Sequence, residues 1–389
     1  MTTPKTILVA PDSFKGSLSA VNFCRIAEKV GQAHSEEIHV ISRPMSDGGE
    51  GFVEALIYAG LAEAKKVVVQ DPLGRATTAK FAWQPATKTA IVEMAQASGL
   101  PLLSAYERNP LKASTYGTGQ VLNAAIELGA EKIILGLGGS ATNDGGVGAL
   151  QSLGFAFLDD QDDPIELGGE ALTSLSKIVK KSPGLAEKRR KSLDEIEWVI
   201  ACDVSNPLLG EQGATAVFGP QKGVDKYSHQ TLENGLAKLA DILKNDWNKD
   251  IKDLPGAGAA GGMAGSFVGL LNAELVSGFD LLSELLQLEK LFQTNSIDLV
   301  ITGEGKMDLQ TKFGKLPNRV AELANRYQVP AVGVCGRLEA TAAELNAFRE
   351  LRSIHEDLAD TTPLDVLLAK TDQNLERTFT RYFSSWLSV

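Results

Sequence analysis

Between Gly136 and Gly148, six glycines alternate with Ser140, Thr142, Asn143 and Asp144 in the order GLGGSATNDGGVG. Glycines let a backbone approach a ligand closely, and the free N–H groups of a helix start point at an anion. The run follows KIIL, an apolar, β-branched segment that reads as a buried strand. It precedes VGALQSLGF, which reads as a helix. Strand, glycine-rich turn and helix is a layout for holding phosphate, with hydroxyl, amide and carboxylate groups in the same turn. No Gly-Lys-Ser/Thr closes it as in a Walker loop, and its glycines miss the positions of a dinucleotide fingerprint.

Four further polar clusters stand where strands are expected to end. They are Asp12-Ser13-Phe14-Lys15-Gly16-Ser17, Asp47-Gly48-Gly49-Glu50-Gly51, Cys202-Asp203-Val204-Ser205-Asn206-Pro207 and Gly303-Glu304-Gly305-Lys306-Met307-Asp308. In open α/β sheets, ligands collect beyond the carboxyl ends of the strands. Taken singly, Asp203 could cap a turn, Lys15 could snorkel, and Glu304 could pair with it structurally. The recurrence argues for one cleft with acidic groups for a metal or a proton and basic groups for phosphate.

The elements that must position these clusters follow a repeated grammar. The run KTILVA at 5–10 reads as a strand, followed by a helix from about Ser19 to Val30. A short strand at 38–41 and a helix to about Gly60 repeat the pattern, the signature of an open parallel sheet. From about Lys65 the rhythm changes to three close β-rich runs, KKVVVQ, TTAKFAW and KTAIVEM, which read as antiparallel or mixed neighbours. The parallel rhythm returns with a strand at 297–302, a helix to about Tyr327, the strand VPAVGVCG and two more helical segments. The expected organisation is one α/β domain from residues 1–65 and 291–389, with a mixed-sheet α/β domain, 66–290, inserted and carrying the glycine loop.

Composition narrows the function. A chain of 389 residues suggests two domains, and the net charge of −11 argues against a grip on nucleic acid. Cys24, Cys202 and Cys335 are scattered and form no CxxC pair, which suits a reducing cytoplasm and offers no zinc site. The four histidines, at 34, 39, 229 and 355, form no cluster. No signal peptide is expected at the N-terminus. The uncharged stretch 256–273 carries six glycines and reads as a buried, tightly packed helix beside a ligand rather than a membrane span. The basic run between 177 and 191, with KIVKK and EKRRK, reads as a solvated face.

Together the loops resemble the type I glycerate kinase family, found mainly in bacteria. The matching segments are VAPDSFKGSLSA at 9–20, PMSDGGEG at 44–51, DPLGR at 71–75, ASGL at 97–100 and YGTG at 116–119. They continue with GLGGSATNDGG at 136–146, CDVSNPLLG at 202–210, VFGPQKG at 217–223, GAGAAGG at 256–262, and TGEGKMDLQT with GKLP between 302 and 317. They span nearly the whole chain in order. Lys306 stands where the family more often has arginine, Leu309 where it has a small residue, and Asn318-Arg319 where an apolar-glycine pair is usual. A lysine keeps the charge but lacks the bidentate fork.

The resemblance implies a flavodoxin-like, Rossmann-like parallel-sheet domain with an inserted α/β domain. It further implies Mg²⁺-dependent phosphorylation of D-glycerate by ATP, with 2-phosphoglycerate favoured over 3-phosphoglycerate. On this reading Gly138, Gly139, Ser140, Ala141, Thr142 and Asn143 hold the ATP phosphates, and Asp203, Glu304 and Asp308 hold Mg²⁺. Lys15 and Lys306 offset charge on the transferring group or the glycerate carboxylate. Asp12, Ser13, Lys15 and Arg75 bind substrate. Asp47 accepts the hydroxyl proton, a role that Asp203 could exchange with it. The cleft between the domains is expected to close and exclude water. The expected setting is cytoplasmic, without membrane or nucleic-acid partners, and a homodimer is compatible with the sequence.

Two rival readings need features the chain does not offer. An NAD-dependent hydroxy-acid dehydrogenase needs an acidic ribose-binding residue about 20 positions after its first glycine loop and a catalytic histidine. A metabolite-sensing regulator needs a DNA-reading helix or a basic patch.

Overall fold

The computed structural model describes residues 4–46, 48–180, 192–358 and 362–387. Asp47 and the EKRRK run therefore lie outside the described residues. The chain is α/β and divides into two compact units. One comprises residues 1–47, 54–61 and 279–389, the other 48–53 and 62–278.

In the first unit five strands form a wholly parallel sheet in the order Glu350–Ser353, Ala331–Leu338, Leu299–Met307, Lys5–Val9, Ile38–Ser42. Ile7 pairs with Leu299 on one side and Val40 on the other, so both ends of the chain share the sheet. The helix Ala20–His34 starts where Ser19 accepts the Asn22 N–H. Its Ala20, Phe23, Cys24, Ala27 and Val30 are buried at the three- and four-residue spacing of one helix face. Phe23 meets Phe379 edge to face at 5.4 Å, and Phe383 and Trp386 extend this aromatic core along the helix Thr371–Leu387. Each such ring contributes roughly 1.5–3 kcal/mol by leaving water.

The second unit carries a six-stranded mixed sheet in the order Glu274–Val276, Glu197–Ala201, Lys132–Gly136, Thr89–Glu93, Ala76–Gln84, Glu63–Gln70. The first four strands are parallel, and the last two are added antiparallel. Every residue of Thr89–Glu93 is buried, as expected of an interior parallel strand covered on both faces.

The structure corrects several sequence expectations. The helix after the glycine loop spans only Val147–Ser152. Gly154 turns with φ 97°, and Phe155–Leu158 then pairs with Lys177–Lys180 as a separate ribbon. Residues 256–262 are not regular helix, because Ala260 and Gly261 are left-handed; the α-helix is Met263–Leu271. The strand expected at 297–302 continues to Met307, so Gly303–Lys306 are strand and not loop. A fifth parallel strand, Glu350–Ser353, follows unannounced. No helix of the described residues is long and apolar enough to cross a membrane.

Candidate active site

In the second unit, three polar segments meet at the carboxyl ends of neighbouring parallel strands. The glycine loop leaves Lys132–Gly136, and the Asp203 segment leaves its partner Glu197–Ala201. The Gly48–Gly49 turn lies against both. A Cβ on Gly138 would stand 2.2 Å from Gly49 Cα, and one on Gly48 would stand 3.2 Å from Ala201 Cβ. Glu93, at the end of the adjoining strand, is buried and accepts the Val53 N–H at 2.6 Å, anchoring the start of the helix Phe52–Tyr58. The sequence reading missed this carboxylate.

The glycine loop is partly a packing device. Gly139, with φ 75°, is its exposed tip, whereas Ser140, Ala141, Thr142 and Asn143 are buried. Its carbonyls and some amides are tied down: Leu100 N–H donates to Gly139 O and Ala141 N–H to Ser98 O, both at 2.9 Å. The N–H groups of Gly139, Ser140, Thr142 and Asn143 make no hydrogen bond among the described residues. Thr142 Oγ1 and Asn143 Oδ1 are buried without a partner there. Buried polar groups are normally satisfied, so these neighbouring atoms stand out.

Asp144 holds this loop to the next helix. Its carboxylate accepts from Thr115 N and Oγ1, each at 2.8 Å, and from the N–H groups of Gly146 and Gly148. Burial pushes its carboxyl above the usual range against the pull of those donors. Beneath the loop, the fully buried Lys222 donates to Thr142 O at 2.7 Å, and burial lowers its pKa to about 7. Sequence reasoning gave Lys222 no role, although the motif VFGPQKG contains it.

Arg75 sits in the turn between Glu63–Gln70 and Ala76–Gln84. Ala76–Gln84 runs antiparallel to Thr89–Glu93, so that turn lies at the same end of the sheet as the glycine loop. Its guanidinium is already engaged, through Nε with Asp71 and Nη1 with Glu107, both at 2.5 Å. A substrate carboxylate would compete with Glu107. Asp203 is exposed and accepts the Gly278 N–H at 3.0 Å.

The first unit gathers the other candidates. The Asp12 N–H donates to Gly303 O at 2.8 Å, and Asp12 Oδ1 accepts the Ser13 N–H at 2.7 Å. The Asp12–Lys15 segment thus lies beside Gly303–Gly305. Gly303 is required there because a Cβ would meet Val334 O at 2.1 Å. Lys15 is exposed and makes no ion pair among the described residues. Glu304 accepts from Thr311 Oγ1 at 2.9 Å, and burial raises its pKa despite the nearby Lys315 ammonium.

Lys315 lies 3.6 Å from Glu304 and 3.5 Å from Asp308, so the two carboxylates flank one cationic position. Lys315 is the lysine of the GKLP segment, which the sequence reading quoted without assigning it a role. Lys306 is held by Asp308 at 3.1 Å and Glu339 at 2.7 Å. Asp308 also caps the next turn by accepting the Gln310 N–H, and the Lys306 hydrogen bond lowers its pKa. Among the described residues no three His, Cys, Asp or Glu side chains form a ready metal cage.

A sequence model described as the glycerate kinase family matches residues 7–387. A glycerate kinase of Bacillus subtilis (strain 168) is 40% identical over 96% of this chain and 95% of its own length. A glycerate 2-kinase of Escherichia coli (strain K12) is 42% identical over 85% of each chain. A crystal structure provisionally assigned as glycerate kinase 2 of Salmonella typhimurium LT2 superposes with a TM-score of 0.82 at 36% identity, covering 98% of each chain. With a match from residue 7 to residue 387 and relatives alike over most of their lengths, the chain belongs to the glycerate kinase family.

Proposed function

We propose that the protein transfers the γ-phosphoryl group of ATP to the 2-hydroxyl of D-glycerate, giving 2-phosphoglycerate and ADP with Mg²⁺. One observation carries this reading. Loop amides and two buried oxygens, Thr142 Oγ1 and Asn143 Oδ1, that have no partner among the described residues lie at the carboxyl end of a parallel strand. Such a loop, exposed at Gly139, suits nucleotide phosphates. The glycerate 2-kinase relative favours the 2-hydroxyl over the 3-hydroxyl.

Phosphoryl transfer needs alignment, charge neutralisation and an oriented hydroxyl more than covalent chemistry. The loop Gly138–Asn143 aligns the nucleotide. Lys15, with no ion pair among the described residues, neutralises the moving phosphoryl group or the glycerate carboxylate, and Asp12 and Ser13 belong to the same segment. Lys306 is a weaker candidate than the sequence suggested, since Asp308 and Glu339 already hold its ammonium. Asp47 accepts the proton of the attacking hydroxyl, or exchanges that task with Asp203. Arg75 can orient the glycerate carboxylate if Glu107 yields.

The oxygen-only donor set of Glu304 and Asp308, shared around one ammonium, fits a hard cation, and Asp203 offers a carboxylate of the same chemistry. Mg²⁺ takes one or two carboxylates plus phosphate oxygens and water, so a preformed three-residue cage is not required. When bound, it neutralises charge on the phosphates. The test is ADP release by the purified protein, which should require ATP, D-glycerate and Mg²⁺ together. Equal ADP release without glycerate, or hydride transfer to a nicotinamide, would sink the proposal.

A further inference from the structure

Lys222 is a fully buried cation that the reaction, as outlined above, does not use. The sequence delivers it deliberately. Pro220 opens a single 3₁₀ turn, Pro220–Lys222, and Gly223 closes it in the left-handed region at φ 96°, where a Cβ would meet Arg108 O at 2.6 Å. Arg108 Nη1 in turn donates to Gln221 O at 3.2 Å. The turn is thereby pressed inward and the lysine has one direction to go. Its Nζ reaches Thr142 O at 2.7 Å across 80 residues of sequence. The helix just before, Ala214–Phe218, supplies Thr215 Oγ1 to Asn143 Nδ2 at 3.2 Å. One segment therefore holds two successive residues of the glycine loop from below.

Folding alone does not call for a lysine here. An unbranched apolar chain such as methionine would fill the same volume without the several kcal/mol that desolvating an ammonium costs. The loop above holds two buried atoms without a partner among the described residues, Thr142 Oγ1 and Asn143 Oδ1, both in residues with no solvent exposure. Asp144, hydrogen-bonded to the loop's far end, provides the nearby negative charge that favours the ammonium.

We propose that Lys222 is a positioning residue for the nucleotide: by holding the Thr142 carbonyl it fixes the floor of the glycine loop beneath the bound phosphates. This rests on the reading of the loop as the nucleotide site. The hydrogen bond to Thr142 O is lost when the lysine becomes apolar, so Lys222→Met should raise the KM for ATP by about tenfold. The KM for D-glycerate should stay within about twofold, because the loss is confined to the loop. Lys222→Gln keeps a donor for Thr142 O and should recover most of the lost ATP affinity.

Gly139→Val is the control for the underlying reading. If it leaves the KM for ATP unchanged, the nucleotide is not at this loop. If it raises that KM while folded Lys222→Met does not, only the inference about Lys222 fails. Equal worsening of both KM values in Lys222→Met would mark a general structural role and also overturn it. Should Lys222→Met not fold, the wild-type protein labelled with ¹³C-lysine decides. The Lys222 Cε resonance, identified by its absence in Lys222→Gln, should shift on adding ADP and not on adding D-glycerate. A resonance indifferent to ADP overturns the proposal.

Discussion

A Cβ on Gly138 would stand 2.2 Å from the Cα of Gly49, so two glycines 89 positions apart pack backbone against backbone at the candidate phosphate loop. Gly138 is therefore a packing requirement, while its neighbour Gly139 is exposed. Gly138→Ala should destabilise the protein by roughly 1–3 kcal/mol, since neither backbone has room to give. Gly139 has only Ala95 Cβ nearby, at 3.3 Å, but its φ of 75° opposes a branched side chain. Gly139→Val should leave a folded protein with a sharply raised KM for ATP. Thermal melts and ATP titrations of the two variants separate the effects, and the reverse pattern would contradict this division.

Asp144 takes four donors into one buried carboxylate, which makes it the brace between the glycine loop and the helix Val147–Ser152. Asp144→Ala would leave those donors and the nearby Lys222 uncompensated. A loss of about 1–3 kcal/mol in unfolding free energy is expected, the scale for leaving buried donors unsatisfied. Urea denaturation measures it. A loss below about 1 kcal/mol would show that the interactions are weaker than their geometry.

The buried Lys222 also sets a pH dependence of stability. Its pKa falls from the ordinary 10.5 to about 7 on burial. Between those values the unfolded chain binds more protons than the folded one at this group, so its contribution to stability rises with pH. Lys222→Met lacks that contribution. Denaturation of both proteins from pH 7 to 10 should show the wild type gaining on the variant as pH rises, and parallel curves would contradict the burial of the charge.

The two carboxylates proposed for proton and metal differ in what their loss should change. Asp47→Asn should lower kcat by about 10²-fold, the lower end of the range for a general base. A loose phosphoryl-transfer transition state needs little proton removal, which sets that lower end. The KM for ATP should move little. Asp203→Asn should instead weaken the response to Mg²⁺, and a metal titration of each variant distinguishes them. Swapped defects would exchange the roles, and losses of only a few-fold in both would place the catalytic centre elsewhere.

The sequence was most legible where one local signal sufficed. An apolar β-branched run followed by clustered glycines identifies Lys132–Gly136 and its loop, and an apolar run ending before Pro11 and a polar cluster finds Lys5–Val9. It failed where glycine had a second meaning. Gly303 looked like a strand break, yet it lies mid-strand because Val334 O leaves no room for a Cβ. Asp144 looked like a ligand group until Thr115, 29 positions earlier, claimed its carboxylate. Lys222 and Lys315 were quoted within motifs, but their importance depends on burial and on partners such as Thr142 and Glu304. Spacing alone does not carry that information.

Phosphorus NMR of the reaction mixture tests the central claim most directly. Protein incubated with ATP, Mg²⁺ and D-glycerate should yield ADP together with one new phosphate-ester signal. An ester at C2 neighbours a single proton and should appear as a proton-coupled doublet, whereas an ester at C3 neighbours two and would appear as a triplet. The account predicts the doublet. A triplet would contradict the assignment to the 2-hydroxyl, and inorganic phosphate without any ester would contradict phosphoryl transfer to glycerate altogether.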